Sequence, residues 1–208
     1  MSTYLTSMTL PNSVKSIGGS AFHNCGSLTS ITIPNGVTSI GDWAFYNCVS
    51  LTYVTIPNRI TSIGEYTFAN CRSLTSVTIP NNVKNIRNGA FYECKGLTSV
   101  TIPNSVTNIG KSAFYKCTGL TSILYTGKME QWKAITKGVD WNYNVPATVV
   151  HCTDGDIQLH KPYTPYSYGV LGNFEEFPQN DNSGFLGNFE EFYQSDNSGF
   201  LGNFGDKY

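Results

Sequence analysis

Six cysteines are the residues of this 208-residue chain best equipped for chemistry, and five of them keep a fixed step. Cys25, Cys48, Cys71, Cys94 and Cys117 are each 23 residues apart, whereas Cys152 stands outside the series. Such a column is open to disulfide bonding, metal ligation or plain burial. If the units stack at the roughly 4.8 Å spacing of paired strands, neighbouring Cα atoms fall inside the disulfide window. In-register side chains run parallel, however, and this holds the Cβ atoms too far apart for an easy S–S bond. Zinc sites draw on ligands that converge on one point, and a linear column does not converge. The five are read as small buried hydrophobes with free thiols, and Cys152 as the better candidate for reactivity.

Other reactive groups are sparse. His23, His151 and His160 are the only histidines. The run His151-Cys152-Thr-Asp154-Gly-Asp156 holds metal-ligand types, but a single histidine gives no metal centre, so neither metal nor cofactor is expected. No Gly-x-Ser-x-Gly elbow, His-Glu-x-x-His pair or phosphate loop occurs. Adjacent carboxylates (Glu175-Glu176 and Glu190-Glu191) are read as solvated and without a cleft. The chain is not expected to be an enzyme. Charged residues make up 13% and the formal net charge is −1, which argues against electrostatic binding of nucleic acid. No apolar run approaches the roughly 18 residues a membrane helix needs.

The elements that must position these residues follow from the same period. Leu5, Leu28, Leu51, Leu74, Leu97 and Leu120 keep the 23-residue step, as do Phe22 to Phe114 and Pro11 to Pro103. In one unit Leu28, Ile31 and Ile33 alternate with Ser30 and Thr32, a strand pattern that Pro34 ends. Val37 and Ile40 face inward again. Ala44, Phe45 and Cys48, with Leu51 beyond, have the three-to-four spacing of one helical turn. Each coil buries its apolar edge only against its neighbours, which defines a solenoid.

The signature Leu-x-x-Ile/Val-x-Ile-Pro…Ile-Gly-x-x-Ala-Phe-x-x-Cys, in five copies, resembles the BspA-like leucine-rich repeats first associated with bacterial surface proteins. The resemblance covers residues 1 to about 159. It implies an α/β repeat fold: a right-handed leucine-rich-repeat solenoid with short parallel strands, a C-terminal helical/strand cap and an irregular tail. Asn12, Asn35, Asn58, Asn81 and Asn104 come one place earlier than in the common leucine-rich consensus, so the usual asparagine ladder is not expected. About five coils are assigned to residues 1–122. A cap is assigned to 123–159, with a short helix over Met129–Lys137, Thr126 as its N-cap and Trp132 and Trp141 covering the last coil. Residues 1–4 align with the end of a preceding unit, and Met1 to Met8 lack the regions of a secretory signal. The chain is therefore expected to be a piece of a longer protein.

Residues 160–208 obey another grammar. Leu171 to Phe185 recurs as Leu186 to Phe200, with only Pro178/Tyr193 and Asn180/Ser195 differing. Aliphatics are too few for an ordinary core, and the segment is expected to be a disordered linker and tail. Against this stands a motif reading, in which Phe174, Glu175, Glu176 and Phe177, repeated as Phe189, Glu190, Glu191 and Phe192, give a partner two tandem contacts. The low-complexity reading takes precedence. Residues 1–159 carry 11 basic and 7 acidic side chains, net +4, and residues 160–208 carry 2 and 7, net −5.

The family resemblance implies non-catalytic protein binding or adhesion at the cell surface, toward a protein or a host matrix component. The alternative is a structural, self-assembling protein that uses the open solenoid end and the tail. Trp43, Tyr53 and Tyr66, in otherwise varied or polar columns, are the candidate interaction patch; rings tucked between coils are the competing reading.

Overall fold

A computed structural model of the chain describes residues 5–159. These all lie in the first of two units, Met1–Pro165 and Tyr166–Tyr208. Each 23-residue unit makes one coil with three walls. The first wall holds β1 (Ser7–Thr9), β3 (Ser30–Thr32), β5 (Tyr53–Val54), β7 (Ser76–Thr78), β9 (Ser99–Ile102), β11 (Ser122–Tyr125) and β13 (Val149–Cys152). The second holds β2 (Ser16–Ile17), β4 (Ser39–Ile40), β6 (Ser62–Ile63), β8 (Asn85–Ile86), β10 (Asn108–Ile109) and β12 (Thr136–Lys137). Pairing is parallel, and in the repeats like residue faces like: Ile31 opposes Val54, Val77 opposes Val100 and Ile86 opposes Ile109. The alternation read from Ser30, Ile31 and Thr32 is realised as exposed, buried, exposed.

A threonine column does the work an asparagine ladder would otherwise do. Thr29, Thr52, Thr75, Thr98 and Thr121 each donate a side-chain hydroxyl to the carbonyl of the threonine one coil earlier, at 2.8–3.4 Å. Branching at Cβ stiffens the side chain for this role.

The third wall corrects the expected helical turn. It is a run of β-turns in which alternate amides go to different places. Ala44, Tyr46 and Cys48 donate N–H three residues back, to Gly41, Trp43 and Phe45, whereas Trp43, Phe45 and Asn47 donate to Glu65, Thr67 and Ala69 of the next coil at 2.8 Å. Half the amides thus close turns and half form an inter-coil ladder, leaving none for the i→i−4 bonds of a helix. The geometry needs left-handed residues at two places per coil. Asn24, Asn47, Asn70, Glu93 and Lys116 occupy one (φ 53 to 62°); Ser20, Trp43, Tyr66, Gly89 and Ser112 occupy the other (φ 49 to 61°). Asparagine, glycine and serine tolerate or suit this conformation. Tryptophan and tyrosine do not.

Inside, one apolar rung per coil repeats without change. Phe45, Phe68, Phe91 and Phe114 are buried, their rings stacked at 5.2–5.5 Å, and Phe22 stacks on Phe45 at 5.1 Å while half buried. Leu28 to Leu120 and Val37 to Val106 line the same core.

The sixth coil ends the stack. It carries α1 (Met129–Ala134), and β13 turns back antiparallel into β14 (Gly155–Gln158). Trp141 is buried edge-on to Phe114 at 6.3 Å, Trp132 packs on Trp141 at 5.8 Å and Tyr125 on Trp132 at 5.3 Å, so large rings close the last core layer. The helix is shorter than expected and its N-cap is Lys128, not Thr126. Gln131 accepts the Lys128 N–H at 2.9 Å and Asp154 accepts the Met129 N–H at 2.8 Å, while the Thr126 hydroxyl accepts the Asn104 N–H at 2.9 Å. Lys137 lies in β12 rather than the helix, and its Nζ donates to the Trp132 and Ile135 carbonyls at the helix end, where positive charge is favoured.

Candidate functional site

The turn wall carries the richest exposed chemistry. His23 stacks on Tyr46 at 4.9 Å, Tyr46 meets Trp43 at 5.0 Å and Trp43 stacks on Tyr66 at 4.5 Å. From Tyr66 the series runs to Tyr92 (6.2 Å), Tyr115 (4.9 Å) and Tyr143 (5.0 Å). Seven rings thus form one ribbon along the outside of the coils, and each pair contributes about 0.5–1.5 kcal/mol beyond its buried area. Lys116 sits over the Tyr115 ring at 5.2 Å, and Asn47 donates to the Asn24 side chain at 2.9 Å. Burial raises the Tyr92 hydroxyl above its ordinary pKa, with Glu93 adding to it.

Of the three expected patch residues, the fold brings two together. Trp43 is 37% exposed and shares its stack with half-buried Tyr66. Both occupy left-handed backbone (φ 61° and 49°), where Gly89 stands one coil on; for a bulky residue this costs of order 1–3 kcal/mol. Tyr53 is 57% exposed but belongs to β5 on the first wall, where its hydroxyl accepts that of Thr55 at 3.0 Å. It is not part of the ribbon. Phe174, Glu175, Glu176, Phe177, Phe189, Glu190, Glu191 and Phe192 of the tail motif lie outside the described residues. Sequence reasoning missed His23, Tyr46, Tyr92, Tyr115 and Tyr143. For the first four the available signal was a near-constant aromatic column, His23, Tyr46, Tyr92 and Tyr115, broken by Ala69.

The cysteine column proves to be a hydrogen-bond ladder. All six cysteines are free, with Cys48, Cys71, Cys94 and Cys117 buried and Cys25 and Cys152 half buried. Each buried thiol donates to the phenylalanine carbonyl of the preceding coil: Cys48 to Phe22, Cys71 to Phe45, Cys94 to Phe68 and Cys117 to Phe91, at 3.0–3.2 Å. Burial pushes the Cys48 and Cys117 thiols up to about 12 and those of Cys71 and Cys94 well above the ordinary range. A protonated, buried thiol is a poor nucleophile. Cys152 is also raised, first by burial and then by Asp154 and Asp156, which works against the reactivity expected of it. His151 meets Asp156 at 2.9 Å across β13 and β14, both exposed. Among the described residues, no group of three or more metal-ligating side chains comes together.

Residues 1–129 match the model of the BspA type leucine rich repeat region in six copies. The chain belongs to that family. A leucine rich cell surface protein from Faecalibacterium prausnitzii A2-165 is 40% identical over 64% of this chain and 35% of its own, with a TM-score of 0.61. The T. pallidum leucine rich repeat protein is 26% identical, covering 68% of this chain and 77% of its own, at 0.59. The pneumococcal vaccine antigen PcpA, 22% identical over 62% and 32% of the two chains at 0.53, shares the fold. This chain therefore spans about a third of the length of the Faecalibacterium protein. No curated protein matches.

Proposed function

We propose that the chain is a non-catalytic protein-binding or adhesion scaffold of the bacterial cell surface, with the aromatic ribbon around Trp43 and Tyr66 as its contact face. The observation that carries this reading is strain kept at an exposed stack. Two bulky rings hold left-handed backbone where glycine fits without cost, and a side chain that only packed would gain from replacement. Rigid aromatic side chains are the common anchors of protein interfaces. Membership of the family and likeness to a cell surface protein support the location. Among the described residues no helix is long and apolar enough to cross a membrane.

The test is surface plasmon resonance of the full chain over immobilised fibronectin, laminin and collagen. The comparison protein carries Trp43→Ser and Tyr66→Gly, residue types that the same column holds at Ser20 and Gly89. Capture by at least one matrix protein, weakened about tenfold or more in the double variant, is expected. No capture by any of the three, or capture unchanged by the double substitution, overturns the reading.

A further inference from the structure

Stacked coils repeat the same hydrogen bonds, and on the second wall the repetition fails at one place. On the second wall, Thr38 donates N–H to Lys15 and Gly41 to Ile17, joining the first and second coils at 2.9 Å. Lys84 and Arg87 donate likewise to Thr61 and Ile63, and Thr107 and Gly110 to Lys84 and Ile86, at 2.7–3.0 Å. Between the second and third coils both bonds are missing. Thr61 N–H does not reach the Thr38 carbonyl, Gly64 N–H does not reach that of Ile40, and β4 and β6 belong to different sheets. Ser62 Oγ is buried in this wall and has no hydrogen-bond partner. A native buried group in that state calls for an explanation.

Thr67 supplies the local cause. It is the one polar residue buried as a whole among the described residues, in a column otherwise filled by Ala21, Ala44, Ala90 and Ala113. Those alanines close a turn by donating N–H three residues back; Thr67 does not, and its hydroxyl donates instead to the Gly41 carbonyl at 3.3 Å. The turn wall nevertheless stays tied, through Trp43 N–H to Glu65 at 2.8 Å and Glu65 N–H to Asp42 Oδ1 at 2.8 Å. The coils part on one wall only.

The parting makes a cleft of about 290 Å³ whose lining includes Thr38, Ser39, Asp42, Thr61, Ser62 and Arg87. Arg87 is itself a departure, standing in the column of Gly18, Gly41, Gly64 and Gly110. Its Nη1 lies 3.9 Å from Asp42 Oδ1, and both side chains are about half exposed, at 55% and 46%. At that distance and exposure the pair is weakly engaged and open to a ligand. The charges bound what can enter: Asp42 repels an anion and Arg87 repels a cation. What suits the cleft is a neutral group rich in both donors and acceptors, because hydroxyls, free amide N–H groups and free carbonyls line one small volume. A gap one coil wide, tied shut along the turn wall, cannot take a peptide strand lying between β4 and β6. Its volume suits a single ring.

We propose that this cleft binds the neutral sugar ring of a glycan, a vicinal pair of its hydroxyls donating to Asp42 and accepting from Arg87 while the exposed Thr61 hydroxyl bonds a third. The inference rests on the parted wall and not on the aromatic ribbon, so either can fail alone.

Saturation-transfer difference NMR on the full chain tests it, with glucose, galactose, mannose and N-acetylglucosamine as probes and sialic acid and triglycine as anionic and peptide controls. Transfer to at least one neutral sugar is expected. Arg87→Gly removes the guanidinium and Thr67→Ala closes the wall; each restores its column's usual residue, and each should weaken binding about tenfold or more. Three results overturn the proposal: no transfer to any neutral sugar, transfer that survives both substitutions, or transfer confined to sialic acid or triglycine.

Discussion

The junction between the fourth and fifth coils and that between the second and third are built from nearly the same residues, yet only the first repeats every hydrogen bond. In the regular junction Thr107 and Gly110 meet Lys84 and Ile86, and Ala113 closes its turn on Gly110. In the other, Thr67 in place of alanine leaves the second wall open while the phenylalanine stack and thiol ladder pass through unchanged. A coil touches only its two neighbours, so one altered residue frees one wall without loosening the rest. The inner columns carry stability, and the outer columns are where departures from the repeat can be tolerated.

The largest expected effect tests whether the opening stops short of the core. Phe91→Ala, in the regular region, removes a fully buried ring stacked on both sides and should cost about 3–5 kcal/mol. Phe45→Ala, beside the open junction, should cost about the same, because its ring is equally buried and stacked. Urea midpoints measure both, with an unchanged denaturant slope confirming a simple loss of stability. A much smaller cost at Phe45 would mean that the opening runs through the core.

Alkaline pH probes the same symmetry through the thiols. Cys48 flanks the open junction and Cys117 lies beyond it, yet burial raises both from 9.0 to about 12. The folded state therefore holds protons that the unfolded chain has released. The stability this confers is complete below about pH 9 and is lost as pH rises toward 12. Thermal melts should fall steadily across that window, and ultraviolet thiolate absorbance of the four buried cysteines should appear only with unfolding. Titration of Cys48 in the folded protein, ahead of Cys117, would show the junction admitting water to the core.

The inner architecture was legible because it is periodic in residue type. Leucine, phenylalanine and cysteine at a 23-residue step dictate stacked coils, and free thiols followed from the parallel geometry, although Cys25 is only half buried where the other four of the column are buried. The turn wall was not legible as such. Ala44, Phe45 and Cys48 have a spacing that one helical turn and a run of β-turns share, and only the destination of alternate amides separates them. Asn24, Asn47 and Asn70, a residue type that tolerates left-handed backbone, were the available sign. Trp43 and Tyr66 were found because they broke a column. Tyr92 and Tyr115 were passed over because they kept one, and Tyr143 because five inserted residues shift it out of register. The cleft was invisible: Thr67 and Arg87 are single exceptions whose consequence depends on what the neighbouring coil offers.

Thr67→Ala is the smallest change and the most direct test of the comparison. The alanine side chain removes the hydroxyl that now reaches Gly41, so the amide of residue 67 can close its turn on Gly64 as its counterparts do. Gly64 N–H then comes within reach of the Ile40 carbonyl, and Thr61 N–H of that of Thr38. Each recovered bond is worth about 0.5–1.5 kcal/mol, set against the lost threonine hydroxyl bond and one buried methyl group at about 0.8 kcal/mol. A net gain of about 1 kcal/mol is expected, a modest rise in melting temperature for a chain of this size. Hydrogen exchange gives the finer reading. In the native protein the Thr61 and Gly64 amides should exchange much faster than Lys84 and Arg87, their counterparts one coil on, and in the variant they should slow to match. Equal protection of all four amides in the unaltered chain would show that the wall is closed in solution and that the two junctions do not differ.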